Sequence, residues 1–225
     1  DGENLSTATR DKAYTAHAET SRIEMSTDRP TTLPSLVSLP SGWLPVAVAC
    51  GSCAALLGLA LTWVGLAAAG VSPGDSEVAR SMVGGPISAV EGSIWFLFDA
   101  HWIQIRTGPG LSTLVIFGHP LIQSDATLWP LRFVPLTFGL GITIAVRYLG
   151  VDDALVGAIT GIGATLGYLP TMLALWWVSR VPLTRHVVDG RIPISDADGI
   201  PASEAAGVTA APDLAATLAL MPGLG

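Results

Sequence analysis

The stretch WLPVAVACGSCAALLGLALTWVGLAAAGV, residues 43–71, decides the fold. It contains no Asp, Glu, Lys or Arg, and it sits inside a longer charge-free run from Thr31 to Gly74. A water-soluble fold does not need so long an uncharged run. A bilayer span does, because about 20 apolar residues are required to cross about 30 Å of hydrocarbon. The first span therefore reads as about 43–70. Trp43 at its start suits a membrane interface, and Pro73-Gly74-Asp75 ends it.

The same pattern recurs further along. Ala154 to Ser179 is also free of charge, which places a span at about 154–179, closed by Trp176-Trp177 and Arg180. Trp129 and Tyr148 bracket another at about 129–149, with Arg132 and Arg147 near its ends, where long stems can snorkel. The link Gly150 to Asp153 is short, so these two spans form an antiparallel hairpin. Pro212 with Asp213 in a first helical turn opens a fourth apolar segment, 212–225. As a helix, residues 214–225 rise only about 18 Å, so this is a truncated span, and the natural chain is expected to continue past Gly225. At the other end, one reading makes residues 1–24 upstream translation ahead of a start at Met25.

The intervening segments are polar. Residues 1–42 read as a disordered tail broken by Pro30, Pro34 and Pro40. Residues 75–127 form an insert. Within it, 85–102 is expected to be a helix lying on the membrane surface or against the bundle. An extra span over 82–98 is the alternative, and it would place Glu91 near mid-membrane at a cost of a few kcal/mol. Ile103 to Arg106 alternates, Gly108-Pro109-Gly110 turns, and Leu114 to Phe117 is strand-like, so a short β-hairpin follows. Residues 181–210 are an acidic connector.

Composition agrees. Half the chain is apolar, 13% is charged, and the mean hydropathy is +0.54. The net charge of -7 argues against a nucleic-acid partner. Ten Arg against one Lys, with acidic loops such as Asp152-Asp153, suggests a halophilic source. The fold expected is an all-α membrane protein. It has three complete transmembrane helices, a truncated fourth, and a small helix and β-hairpin insert between the first two spans. Counting Arg residues near span ends puts the insert and the connector in the cytoplasm, with Arg80, Arg132, Arg180, Arg185 and Arg191 there against Arg29 and Arg147 outside.

Few residues invite chemistry. Cys50 and Cys53 have the CxxC spacing of redox and metal sites, but a relay wants a second pair and zinc wants two more ligands. His101, His119 and His186 offer imidazoles without metal spacing, so the pair reads as small residues allowing close helix contact. Gly157 with Gly161, and Gly163 with Gly167, have the small-xxx-small spacing of a tight crossing, read here as packing within the chain. Asp99 and His101 suggest a proton-handling pair, yet residues two apart on a helix point about 200° from each other. Both therefore read as interfacial groups reaching headgroups or water. Arg132 reads as an interface marker beside Trp129. No catalytic, cofactor-binding or metal residue is assigned, and no cofactor is implied.

Three short motifs, Phe96-Leu97-Phe98-Asp99-Ala100-His101-Trp102, Leu166-Gly167-Tyr168-Leu169-Pro170 and Ala211-Pro212-Asp213-Leu214, carry a resemblance. The chain resembles a family of uncharacterised haloarchaeal membrane proteins with about four spans, over roughly residues 43–225. The resemblance implies the architecture and brings no activity. The expectation is a multi-pass protein of the cell membrane, not an enzyme, that packs in the bilayer with itself or another membrane protein through small-residue helix faces. A component of a small-solute or ion transporter or channel is the alternative. A membrane thiol enzyme on Cys50 and Cys53 is a third, weaker class.

Overall fold

The computed structural model describes residues 39–75, 80, 83–107, 121, 122, 126–193 and 200–220, all within the unit Leu39–Gly225. Residues 1–38 of the expected tail, the turn 108–110 and strand 114–117 of the expected hairpin, and residues 221–225 of the expected last segment lie outside these residues. Among the described residues, three segments are long and apolar enough to cross a membrane: Trp43–Ala68, Ala126–Tyr148 and Ala154–Val178.

Helix α1 is Trp43–Ala68 and α2 is Ala89–Ala100. The second apolar segment is not one α-helix. It opens as a 3-10 helix, Ala126–Phe133, and continues as α3, Leu136–Tyr148. Pro130 and Pro135 supply no N–H, so the α-helical ladder begins only after Pro135. Helix α4 is Ala154–Val178, capped by the Asp153 carboxylate, which accepts from the amides of Leu155 and Val156.

Small residues set how these helices cross. A Cβ on Gly51 would sit 1.9 Å from the carbonyl oxygen of Ala164, and one on Gly167 would sit 1.9 Å from that of Val48. Gly163 lies against Trp43 and Ala47, so α1 and α4 run parallel with their backbones nearly touching. Gly141 meets Ala54 and Cys50 while Gly65 meets Leu131, so α3 runs antiparallel to α1. The Gly163 and Gly167 spacing is therefore used inside the chain, whereas Gly157 faces open space. Large apolar side chains such as Leu57, Trp63, Leu140, Ile144 and Leu166 point outward.

The polar layer sits where α1 and α4 end. Strands β1, Ile105–Thr107, β2, Val181–Pro182, and β5, Thr209–Pro212, form an antiparallel sheet ordered β1-β5-β2. Its register pairs Ile105 with Pro212 and Val181 with Ala210. Between them, β3, Arg191–Ile192, pairs with β4, Ile200–Pro201. This adds to two expectations without testing the hairpin, whose turn and second strand lie outside the described residues. The described partner of β1 is β5, about a hundred residues away in sequence. The acidic connector is in part a sheet component, because alternation over a few residues says nothing about which distant strand completes the pair.

The start of the last segment also differs. Pro212 ends β5 instead of opening a helix. The Asp213 amide donates to the Gln104 carbonyl at 2.8 Å, prolonging the strand pairing by one residue. The Asp213 carboxylate then caps α5, Leu214–Leu220, by accepting from the amides of Ala215 and Ala216.

Helix α2 is too short to cross a membrane by itself, and it packs against the bundle, one of the two placements expected for it. Its 12 residues rise about 18 Å, short of the hydrocarbon thickness. Every residue from Glu91 to Ala100 is buried. Gly92 admits the carbonyl of Pro73, Leu97 lies over Gly58 of α1, and Trp95 Nε1 donates to the Ser179 carbonyl beyond α4 at 2.9 Å. An apolar helix without a polar face suits a site covered on all sides.

Candidate functional site

The polar groups of α2 converge with the ends of the spans. Ser88 caps the helix through a capping box: its hydroxyl accepts from the Glu91 amide at 3.1 Å, and its own amide donates to Glu91 Oε2 at 2.9 Å. Arg185, in the 3-10 turn Leu183–His186, donates to both Glu91 oxygens at 2.7 and 2.9 Å. Burial alone would raise the Glu91 pKa, but the Arg185 hydrogen bonds and those from Ser88 outweigh it and hold the carboxyl below its usual value. The Arg185 guanidinium is pushed up in turn, chiefly by its hydrogen bond to Glu91.

At the other end of α2, Asp99 is 3% exposed. The Ile122 amide donates to its Oδ2 at 2.8 Å, and Arg132 reaches the same oxygen at 3.5 Å while also donating to the Asp99 backbone carbonyl. Burial pushes the Asp99 carboxyl up, against the lowering by Ile122 and Arg132. The ion-pair geometry and this direction pull opposite ways. The 3.5 Å separation is long for a charge-assisted bond, so desolvation wins. The Arg132 guanidinium also lies 4.0 Å over the Trp102 ring. Trp102 holds φ at 63°, a left-handed conformation that turns the chain back from α2 toward β1.

His101 occupies the opposite side. Its Nδ1 lies 2.8 Å from the Leu97 carbonyl and its Nε2 lies 2.6 Å from the Tyr168 hydroxyl of α4. A carbonyl only accepts, so Nδ1 carries the proton and Nε2 accepts from Tyr168. Desolvation lowers the His101 pKa, against a rise from the Leu97 contact, which keeps the ring neutral. Tyr168 in turn packs on Phe138 of α3, with ring centroids 4.7 Å apart.

These positions correct two sequence readings. Asp99 and His101 do not reach headgroups or water; both are buried. They do not meet each other, as their spacing implied. Arg132 is not a free interfacial cation either, since its side chain is 7% exposed and tied to Asp99. Glu91, Tyr168, Trp102 and Ile122 were not legible as site residues. Only the Ser88-x-x-Glu91 spacing carried a readable signal.

The remaining candidates stand apart. Cys53 is exposed, Cys50 is half-buried, and both face a cleft of about 380 Å³ between α1 and α3 that also holds Thr137. His119 lies outside the described residues. Among the described residues, no group of three or more His, Cys, Asp or Glu side chains is placed to hold a metal ion.

Residues 34–224 match the model of a family of unknown function, DUF7978. No curated protein and no solved structure matches the chain. The family match covers most of the sequence, including all three apolar segments and α2, and so the chain belongs to the DUF7978 family.

Proposed function

We propose that this chain is a non-enzymatic, multi-pass protein of the cell membrane that acts by packing with itself or with another membrane protein. One observation carries the reading: the ionisable groups of α2 and its C-cap are closed by partners. Glu91 is taken up by Ser88 and Arg185, Asp99 by Ile122 and Arg132, and His101 by Leu97 and Tyr168. Groups so engaged fix α2 to the spans and offer no open position for a substrate. Most of each span is left uncovered by the chain itself, which leaves apolar surface for lipid or partner helices. Scarce lysine and acidic loops support a halophilic source, and the resemblance implies an archaeal one.

Two measurements test this. Release of the protein from membranes by alkaline carbonate would end the membrane reading. In lipid nanodiscs loaded at low protein ratio, mass photometry should find more than one copy per disc or a stoichiometric partner carried from the native membrane. A single, partnerless copy sinks the packing role.

The buried polar chain favours a second reading, a component of a small-solute or ion transporter or channel. Tyr168 sits ten residues, about 15 Å of helix, inside the end of α4. Proteoliposome flux that Asp99→Asn abolishes would decide for it.

A further inference from the structure

Where α4 ends, a cleft of about 370 Å³ opens between the helix and β5. Arg106, Thr107, Trp176, Arg180, Thr209 and Asp213 line it. We propose that this cleft binds the phosphodiester headgroup of an anionic membrane lipid, an assignment that rests on the membrane reading above.

Arg180 carries the argument. Arg80, Arg106, Arg132 and Arg185 each pair with a carboxylate, but among the described residues Arg180 has none. Its guanidinium instead lies 5.4 Å over the Trp176 ring and 4.8 Å over the Trp177 ring. Contact with a ring face takes up no N–H···O bond. Its N–H groups have no carboxylate partner among the described residues, and their fork matches the oxygens of a phosphate.

The charge balance selects among anions. Arg106 lies 3.0 Å from Asp213 across the cleft, so that pair is neutral and Arg180 supplies the net positive charge. A single positive charge fits a monoanionic phosphodiester better than dianionic inorganic phosphate. The Thr107 and Thr209 side chains line the same space and bring hydroxyl donors.

Depth points the same way. Trp176 and Trp177 occupy the last turn of α4, the position of an aromatic belt at headgroup level. Trp176 is held there by its Nε1 donating to the Pro212 carbonyl at 2.8 Å. Leu214 at the lip and the exposed Trp177 and Val178 offer apolar contact for the acyl chains.

The test uses the full chain in mild detergent, exposed to equal amounts of phosphatidylglycerol and phosphatidylcholine and read by native mass spectrometry. Wild type should retain phosphatidylglycerol about tenfold over phosphatidylcholine, whose choline cation cancels the charge of its own phosphodiester beside Arg180. Arg180→Gln should lose that preference. Arg147→Gln, at the opposite end of the bundle, should keep it. Equal retention of the two lipids by wild type overturns the proposal, as does full preference in Arg180→Gln or equal loss in Arg147→Gln. Inorganic phosphate that raises the unfolding temperature as much as phosphatidylglycerol does would assign the cleft to a free anion and overturn the lipid source. If Arg180→Gln does not fold, the wild-type lipid and phosphate arms decide alone. Release by carbonate would refute membrane insertion itself, a result independent of lipid preference in detergent.

Discussion

The Tyr168 hydroxyl lies 2.6 Å from His101 Nε2, joining residues 67 positions apart and locking α2 onto α4. The Leu97 carbonyl fixes the imidazole tautomer, so the bond has a direction: Tyr168 donates and a neutral His101 accepts.

Removing that donor should be felt. Tyr168→Phe keeps the ring packed on Phe138 but leaves Nε2 buried and unsatisfied, at a cost of about 1–3 kcal/mol. Thermal unfolding in detergent measures it, and an unchanged midpoint would mean that the bond is not made.

Acidification should destabilise the fold through the same ring. His101 has its pKa lowered from 6.5 by burial, so below about pH 6.5 the unfolded chain binds a proton that the folded chain resists. Stability from this group is complete above that pH and is lost as pH falls toward the lower folded value. Glu91, also lowered, loses its contribution only below about 4.5. Asp99, raised from 3.8, acts with the opposite sign, losing stability as pH rises through its folded value. Comparing wild type with His101→Gln between pH 7 and 5.5 isolates the imidazole: the variant should show the flatter profile.

Asp99 and Arg132 should behave as a unit. Arg132→Met leaves a buried carboxylate without its cation, which costs about 3–5 kcal/mol when both partners are this buried. Asp99→Asn in the Arg132→Met background should recover part of the loss, since Asn still accepts from the Ile122 amide. Additive losses in a denaturant double-mutant cycle would show that the two side chains are not coupled.

Glycines on one helix should differ sharply. Gly167→Ala drives a Cβ into the Val48 backbone, so α1 and α4 must separate and folded yield should fall steeply. Gly157→Ala meets nothing within 4 Å and should stabilise α4 by about 0.5–1 kcal/mol. Folded yield after membrane extraction reads both, and equal tolerance would refute the crossing.

Replacing Cys50 and Cys53 together by Ala should leave accumulation and assembly unchanged, because small-for-small exchanges preserve helix contact. Zinc bound to purified wild type and lost from the double variant would overturn this.

Three apolar segments were legible in the sequence because crossing a bilayer imposes a length and a freedom from charge that any reading of residues 43–71 or 154–179 detects. Composition likewise disfavoured nucleic acid. The pairing of β1 with β5 was not legible, since two short strands about a hundred residues apart carry no local mark of each other. Nor was the burial of Asp99, His101 and Arg132. Sequence shows a charge beside an apolar run, and the bland reading sends that charge to water. Only the tertiary structure buries Glu91 to Ala100 of α2 and brings Ile122, Arg132 and Tyr168 to it, because satisfying a buried polar group depends on neighbours that distant parts of the chain supply.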